Sequence, residues 1–250
     1  MSLLREGGSV AVPGAALKKQ VLELGGSDPF IVLADADIKE AARVAVKVRF
    51  TNAGQACVNA KRFIVDEQIA DEFVAEFVIR ARELVLGDPS DPATDIGPMA
   101  RENLRATLLD QVQRTLQAGG RLLLGVKLLM GPGSTTPPTI IDRVKPGQAA
   151  FDEETFGPVA AITRVSSTEE AIALTAALWT KDIAKACELL PRIDDGAVFV
   201  NGMVPVCPSE ASRSRATVAN WVLKASASSR TLERSGLHQL GGGVREWRFR

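Results

Sequence analysis

Short apolar runs alternate with amphipathic stretches along most of the chain. Val21, Leu22 and Leu24 lead to a Gly25-Gly26 turn, and Pro29-Phe30-Ile31-Val32-Leu33 has the length and β-branched content of a strand buried on both faces. Asp35 to Ile38 opens a helix whose apolar positions, Ala41, Ala42, Val44, Ala45 and Val48, recur at helical spacing. Asp35 or Asp37 is its cap, and it ends near Asn52-Ala53-Gly54. Residues 62–65 read as a second strand, and an amphipathic helix over 69–86 stops at Gly87-Asp88-Pro89. A further helix over 101–118 ends at Gly119-Gly120. Strands are expected at 122–124, 139–141, 159–165 and 197–200, with a helix capped at Ser167 or Thr168 and carrying Glu170 in its first turn. The alternation is that of βαβ units, so the expected fold class is α/β, a mostly parallel sheet flanked by helices. Residues 212–229 show neither strand alternation nor a continuous helical stripe.

Composition narrows the partners. The 250 residues are 46% hydrophobic and 24% charged, enough for a sizeable core. Thirty Lys plus Arg balance thirty Asp plus Glu, which leaves no net field to gather nucleic acid or an anionic membrane and favours a small-molecule partner. Three cysteines, Cys57, Cys187 and Cys207, lack metal-ligand spacing, and no apolar run approaches the roughly 20 residues of a membrane span. Reduced thiols in a cytoplasmic protein are expected.

Three segments stand out chemically. Cys57, in Gly54-Gln55-Ala56-Cys57, follows a helix-ending glycine and is expected near the start of the next helix, a place that favours a thiolate; the alternative is a small buried hydrophobe. Glu23 lies between Leu22 and Leu24 ahead of two glycines, where a buried carboxylate would be a candidate general base and an edge-strand one would point to solvent. In Phe151-Asp152-Glu153-Glu154-Thr155-Phe156-Gly157-Pro158 an acidic residue could accept hydrogen bonds from ribose hydroxyls, or the segment is a solvated acidic loop.

In order and spacing, Glu23-Leu24-Gly25-Gly26, Gly54-Gln55-Ala56-Cys57 and Glu153-Glu154-Thr155-Phe156-Gly157-Pro158 resemble three signatures of the aldehyde dehydrogenase superfamily. The resemblance runs over residues 15–201 and takes in Pro29-Phe30-Ile31-Val32, Asp35-Ala36-Asp37, Gly87-Asp88-Pro89, Gly97-Pro98-Met99 and Pro137-Pro138-Thr139. The wording of 22–33 and 97–101 looks most like the succinate-semialdehyde dehydrogenase branch. The resemblance implies that Cys57 is the nucleophile that adds to an aldehyde, that Glu23 activates the water that hydrolyses the thioacyl enzyme, and that Glu154 holds the nicotinamide ribose of NAD or NADP. The resemblance also places Phe156 beside that ribose and matches the Leu24 backbone to the group that meets the carboxamide.

Only about twenty residues precede Glu23, where family members carry a Rossmann-like domain. The chain therefore reads as the catalytic half, and a truncated or damaged gene product or a mispredicted coding region is expected. Residues 1–25 are expected to be a remnant of the end of the cofactor-binding domain, 26–201 the catalytic domain, and 202–250 an irregular C-terminal segment. The family's asparagine oxyanion donor has no counterpart, a loss on the order of a hundred- to a thousandfold in rate. The only histidine, His238, matches no catalytic position. Aldehyde oxidation is the leading function, with a cofactor-independent thioesterase or esterase, or a non-catalytic partner-binding fragment, as alternatives. A homo-oligomer or a complementing fragment is expected as protein partner.

Overall fold

A computed structural model describes residues 26–57, 59–125, 135–172, 177–189, 198–201, 221–226 and 229–236. Its centre is one nine-stranded sheet. In chain order the strands are β1 (Pro29–Val32), β2 (Arg62–Asp66), β3 (Arg121–Leu124), β4 (Thr139–Asp142), β5 (Val159–Val165), β6 (Ala177–Trp179), β7 (Val198–Val200), β8 (Trp221–Ser226) and β9 (Ser229–Gly236). They are ordered β3-β4-β5-β2-β1-β6-β7-β8-β9 across the sheet. The strands from β4 to β7 run parallel, with β3 antiparallel at one edge and β8 and β9 antiparallel at the other. The α/β class and the mostly parallel sheet are as the sequence predicts. The 202–250 segment, read as irregular, contributes β8 and β9; their pairing begins on the edge that β7 offers, a contact that local alternation does not encode.

The central strands are mostly apolar on both faces because both faces are covered, with Arg62 and Asp66 at the ends of β2 and Thr163 and Arg164 late in β5. Phe30 and Val32 of β1, Phe63 and Val65 of β2 and Ile162 of β5 pack on one side under α1 (Ile38–Phe50) and α2 (Ala70–Arg82). Phe63 and Phe77 meet there with ring centroids 4.9 Å apart. On the opposite side Ile31, Leu33 and Ile64 meet Ala186 and Leu189 of α6 (Ile183–Leu189), near α5 (Thr168–Ile172). Ile141, Val159 and Ala161 meet Leu108 and Val112 of α3 (Glu102–Gln117) and Phe151 of α4 (Ala149–Asp152).

Asp37 caps α1, its carboxylate accepting from the Glu40 backbone N–H at 3.1 Å. The helix ends where Asn52, Ala53 and Gly54 take positive φ of 54°, 52° and 71° in a 3-10 turn over Thr51–Gly54. Three successive left-handed residues turn the chain out of the helix axis, and no helix begins before β2. The expected helix start at Cys57 is therefore corrected: among the described residues Cys57 sits in a turn, with no helix between Gly54 and β2. The helix expected over 69–86 stops at Arg82, because Val85 is drawn aside. Its carbonyl accepts from Asp95 and Ile96, and its N–H donates to the Asp95 carboxylate. Ser167 caps α5 as expected, accepting from the Glu170 N–H at 3.2 Å.

Candidate active site

The parallel pairing of β5, β2 and β1 decides where the chemistry gathers. Gly26–Asp28 lead into β1, the Cys57 turn leads into β2, and Glu153–Pro158 lead into β5. Those three strands are neighbours, with Pro29 beside Arg62 and Arg62 beside Ala161, so the segments that enter them lie together at the amino ends. Ligands of open α/β sheets more often sit at the carboxyl ends. A cleft of about 370 Å³ lies there, lined by Asp35, Asp66, Ser166, Asp182 and Lys185 among others. Its carboxylates are occupied: Asp35 accepts from Thr180 and from the Lys181 and Asp182 amides, and Asp66 from the Gln68 amide.

Two buried cations join the amino-end loops. Arg49, in the last turn of α1, is fully buried. Its Nη1 donates to the Ala60 carbonyl at 3.1 Å, and its Nη2 to the carbonyls of Thr155 at 3.0 Å, Gly54 at 3.4 Å and Gly157. Lys61 is also fully buried; its Nζ donates to the Cys57 carbonyl at 2.9 Å and stands 3.4 Å from Glu154 Oε1. Burial pushes the Arg49 pKa down to about 9, opposed by the Glu154 charge, so the guanidinium remains a cation at neutral pH. Burial also lowers the Lys61 ammonium, Glu154 acts against that shift, and Arg49 adds to it.

Cys57 is exposed, which excludes the buried-hydrophobe alternative. Glu154 is no freely solvated acid: its side chain is 30% exposed and one oxygen faces Lys61. Phe156 is half-buried in the same loop, while Glu23 and Leu24 lie outside the described residues, as do Cys207 and the side chain of Cys187. Gln55 accepts from the Ala100 amide at 2.9 Å and so ties the Cys57 turn to Gly97–Ala100. Sequence reading missed Arg49 and Lys61. Arg49 did carry a signal, since it falls four residues beyond Ala45 and eight beyond Ala41 on the buried stripe of α1.

The carboxylate next to Glu154 braces the loop from outside. Glu153 takes a bidentate pair from Arg114 of α3 at 2.6 and 2.9 Å and a bond from Gln111 at 3.0 Å. These hydrogen bonds, Arg114 first and against the pull of burial, hold its pKa down to about 2. A depressed carboxylate stabilises the fold above its unfolded pKa, and the contribution is lost as pH falls from about 4.5 towards 2. Because the pair is largely solvated, the effect is small, about 1 kcal/mol or less. Glu153→Gln is expected to lower the midpoint of urea unfolding slightly at pH 7 and not at pH 2; an equal loss at both pH values would refute the assignment.

No group of three His, Cys, Asp or Glu side chains among the described residues could hold a metal ion, and no described helix is long and apolar enough to cross a membrane.

Comparison with known proteins gives a consistent result. The profile of the aldehyde dehydrogenase family matches residues 7–212. The succinate semialdehyde dehydrogenase [NAD(P)+] Sad of Escherichia coli (strain K12) is 44% identical over 256 aligned positions, covering 99% of this chain and 54% of its own length. The succinate-semialdehyde dehydrogenase [NADP(+)] of Mycobacterium avium (strain 104) is 44% identical over 206, covering 79% of this chain and 44% of its own. Among solved structures, a salicylaldehyde dehydrogenase from Pseudomonas putida G7 complexed with salicylaldehyde superposes with a TM-score of 0.73 at 36% identity, covering 80% of this chain and 43% of that one. The chain thus spans about half the length of the curated relatives it matches.

Proposed function

Since the chain belongs to the aldehyde dehydrogenase family, we propose that it is the catalytic portion of an enzyme that oxidises an aldehyde to the carboxylic acid with NAD or NADP, through a thioacyl intermediate on Cys57. The observation that carries this reading is the pairing of two loops, one presenting an exposed thiol and the other a carboxylate held by a buried ammonium. Succinate semialdehyde is the candidate substrate, on the strength of the relatives' names.

The chemistry follows from the groups present. The Cys57 thiolate adds to the aldehyde carbon, and the tetrahedral alkoxide that forms can expel hydride where a bare carbonyl cannot. The dinucleotide, when bound, supplies the hydride acceptor. Collapse of the alkoxide leaves a thioester on Cys57, and Glu23 takes a proton from the water that attacks it, releasing the acid and restoring the thiolate. Glu154 suits the ribose hydroxyls: Lys61 fixes Oε1 while the side chain stays partly open to solvent. Phe156 lies in the same loop, and the Leu24 backbone is assigned to the carboxamide. The reading makes the protein one part of a larger site, completed by a homo-oligomer partner or a complementing fragment.

One charged hydrogen bond at Glu154, about 1.5–3 kcal/mol, falls short of the roughly 4 kcal/mol that a millimolar site represents. The 250-residue chain by itself is therefore expected to bind NAD or NADP no better than millimolar in calorimetric titration, and to turn over succinate semialdehyde negligibly. Limiting iodoacetamide is expected to label Cys57 ahead of Cys187 and Cys207. Preferential labelling of either other thiol counts against Cys57 as the nucleophile; micromolar binding with appreciable turnover by this chain alone overturns the division of labour between the halves.

A further inference from the structure

Lys61 makes two contacts that belong to different loops of the site. Its Nζ donates to the Cys57 carbonyl at 2.9 Å and lies 3.4 Å from Glu154 Oε1, a buried oxygen with no hydrogen-bond partner. Neither contact is needed to hold the loops together. Arg49 already links Gly54 and Ala60 on one side to Thr155 and Gly157 on the other through their backbone carbonyls. Nor is an ammonium needed to fill the space, since an apolar side chain would do so without the cost of drawing a charge out of water. What Lys61 adds is a connection from a backbone carbonyl of the thiol-bearing turn to a titratable side chain.

We propose that Lys61 is a positioning residue that couples the two ends of the site, transmitting the charge and occupancy of Glu154 to the turn that carries Cys57. The inference rests on the reading of Cys57 as nucleophile and Glu154 as the ribose-binding carboxylate. When hydroxyl groups donate to Glu154, part of its charge is spent on them and its hold on the Lys61 ammonium weakens. The ammonium then donates more fully to the Cys57 carbonyl and fixes the turn. The thiol is thereby set for attack by a ligand that does not touch it, and the dinucleotide readies the nucleophile before the aldehyde arrives. Arg49, the other cation facing Glu154, donates only to backbone carbonyls of both loops and carries no such side-chain link.

A double-mutant cycle on the 250-residue chain tests this without any dinucleotide. The rate constant for alkylation of Cys57 by iodoacetamide, followed by peptide mapping, is measured in the parent chain, Glu154→Gln, Lys61→Met and the double variant. Thermal unfolding is recorded for each. Glu154→Gln is expected to alter the rate when Lys61 is present and to do little in the K61M background, the two fold-changes differing by about threefold or more, within the range contacting residues show. Lys61→Arg, which keeps the cation, is expected to restore most of the response. A smaller difference between the two fold-changes overturns the proposal, because Glu154 then acts on the thiol directly or not at all. If K61M fails to fold, the cycle is run with K61Q under the same criterion. Alkylation of Cys187 or Cys207 ahead of Cys57 in the parent chain would defeat the reading of Cys57 as nucleophile; an additive cycle with Cys57 still labelled first defeats only the coupling.

Discussion

Replacing Arg49 with methionine is expected to cost about 3–5 kcal/mol of folding stability, as breaking a buried charge network does. The methionine would fill the volume, yet the carbonyls of Ala60, Gly54, Thr155 and Gly157 would lose their shared donor in a place that water does not reach. Glu154 would lose one of the two cations that face it. For a chain of this size the loss corresponds to a fall in Tm of roughly 6–20 °C. Arg49→Lys keeps the charge but not the fork that reaches several carbonyls at once, so it is expected to recover only part of the loss. Urea and thermal unfolding of both variants provide the check. A loss under about 1 kcal/mol for Arg49→Met would mean that the carbonyls find other partners.

That such a residue escaped sequence reading has a physical reason. Pattern methods place charge at the surface, and the rule holds for Arg43 and Lys47, both exposed on α1. Arg49 breaks it because helix packing fixes the α1 stripe, and the two loops it serves are brought to its tip by strand order, which no local window contains. Lys61 had no signal at all, standing one residue before a strand. The strands themselves were legible: β1, Phe63 to Val65 of β2 and Val159 to Ile162 of β5 are apolar runs because both sheet faces are covered, and β5 starts and stops at the predicted residues. β6 and α6 were not read from the sequence. The helix predicted to begin at Cys57 failed for a different reason. The glycine before it was read as a helix end, correctly, but the left-handed run of Asn52 to Gly54 prepares a turn and not a second helix.

Gly54→Ala is the complementary test, aimed at the approach of the loops and not at the cation between them. Gly54 has φ of +71°, and a Cβ built on it would come closer than 3.0 Å to the Gly157 carbonyl and to Arg49 Nη2. The left-handed backbone alone costs an L-residue about 1–2 kcal/mol. Gly119→Ala isolates that term, since its φ is +102° and nothing lies within 4 Å of the added carbon. At Gly54 the new methyl must also push backbone apart, adding about 1–3 kcal/mol of overpacking, so a total near 2–5 kcal/mol is expected against 1–2 for the control. The displaced parts are the turn holding Cys57 and the loop holding Glu154, so alkylation of Cys57 should change in Gly54→Ala and stay unchanged in Gly119→Ala. If the two variants lose the same stability in urea unfolding, torsion alone explains the glycine, and contact between the loops is not what Gly54 provides.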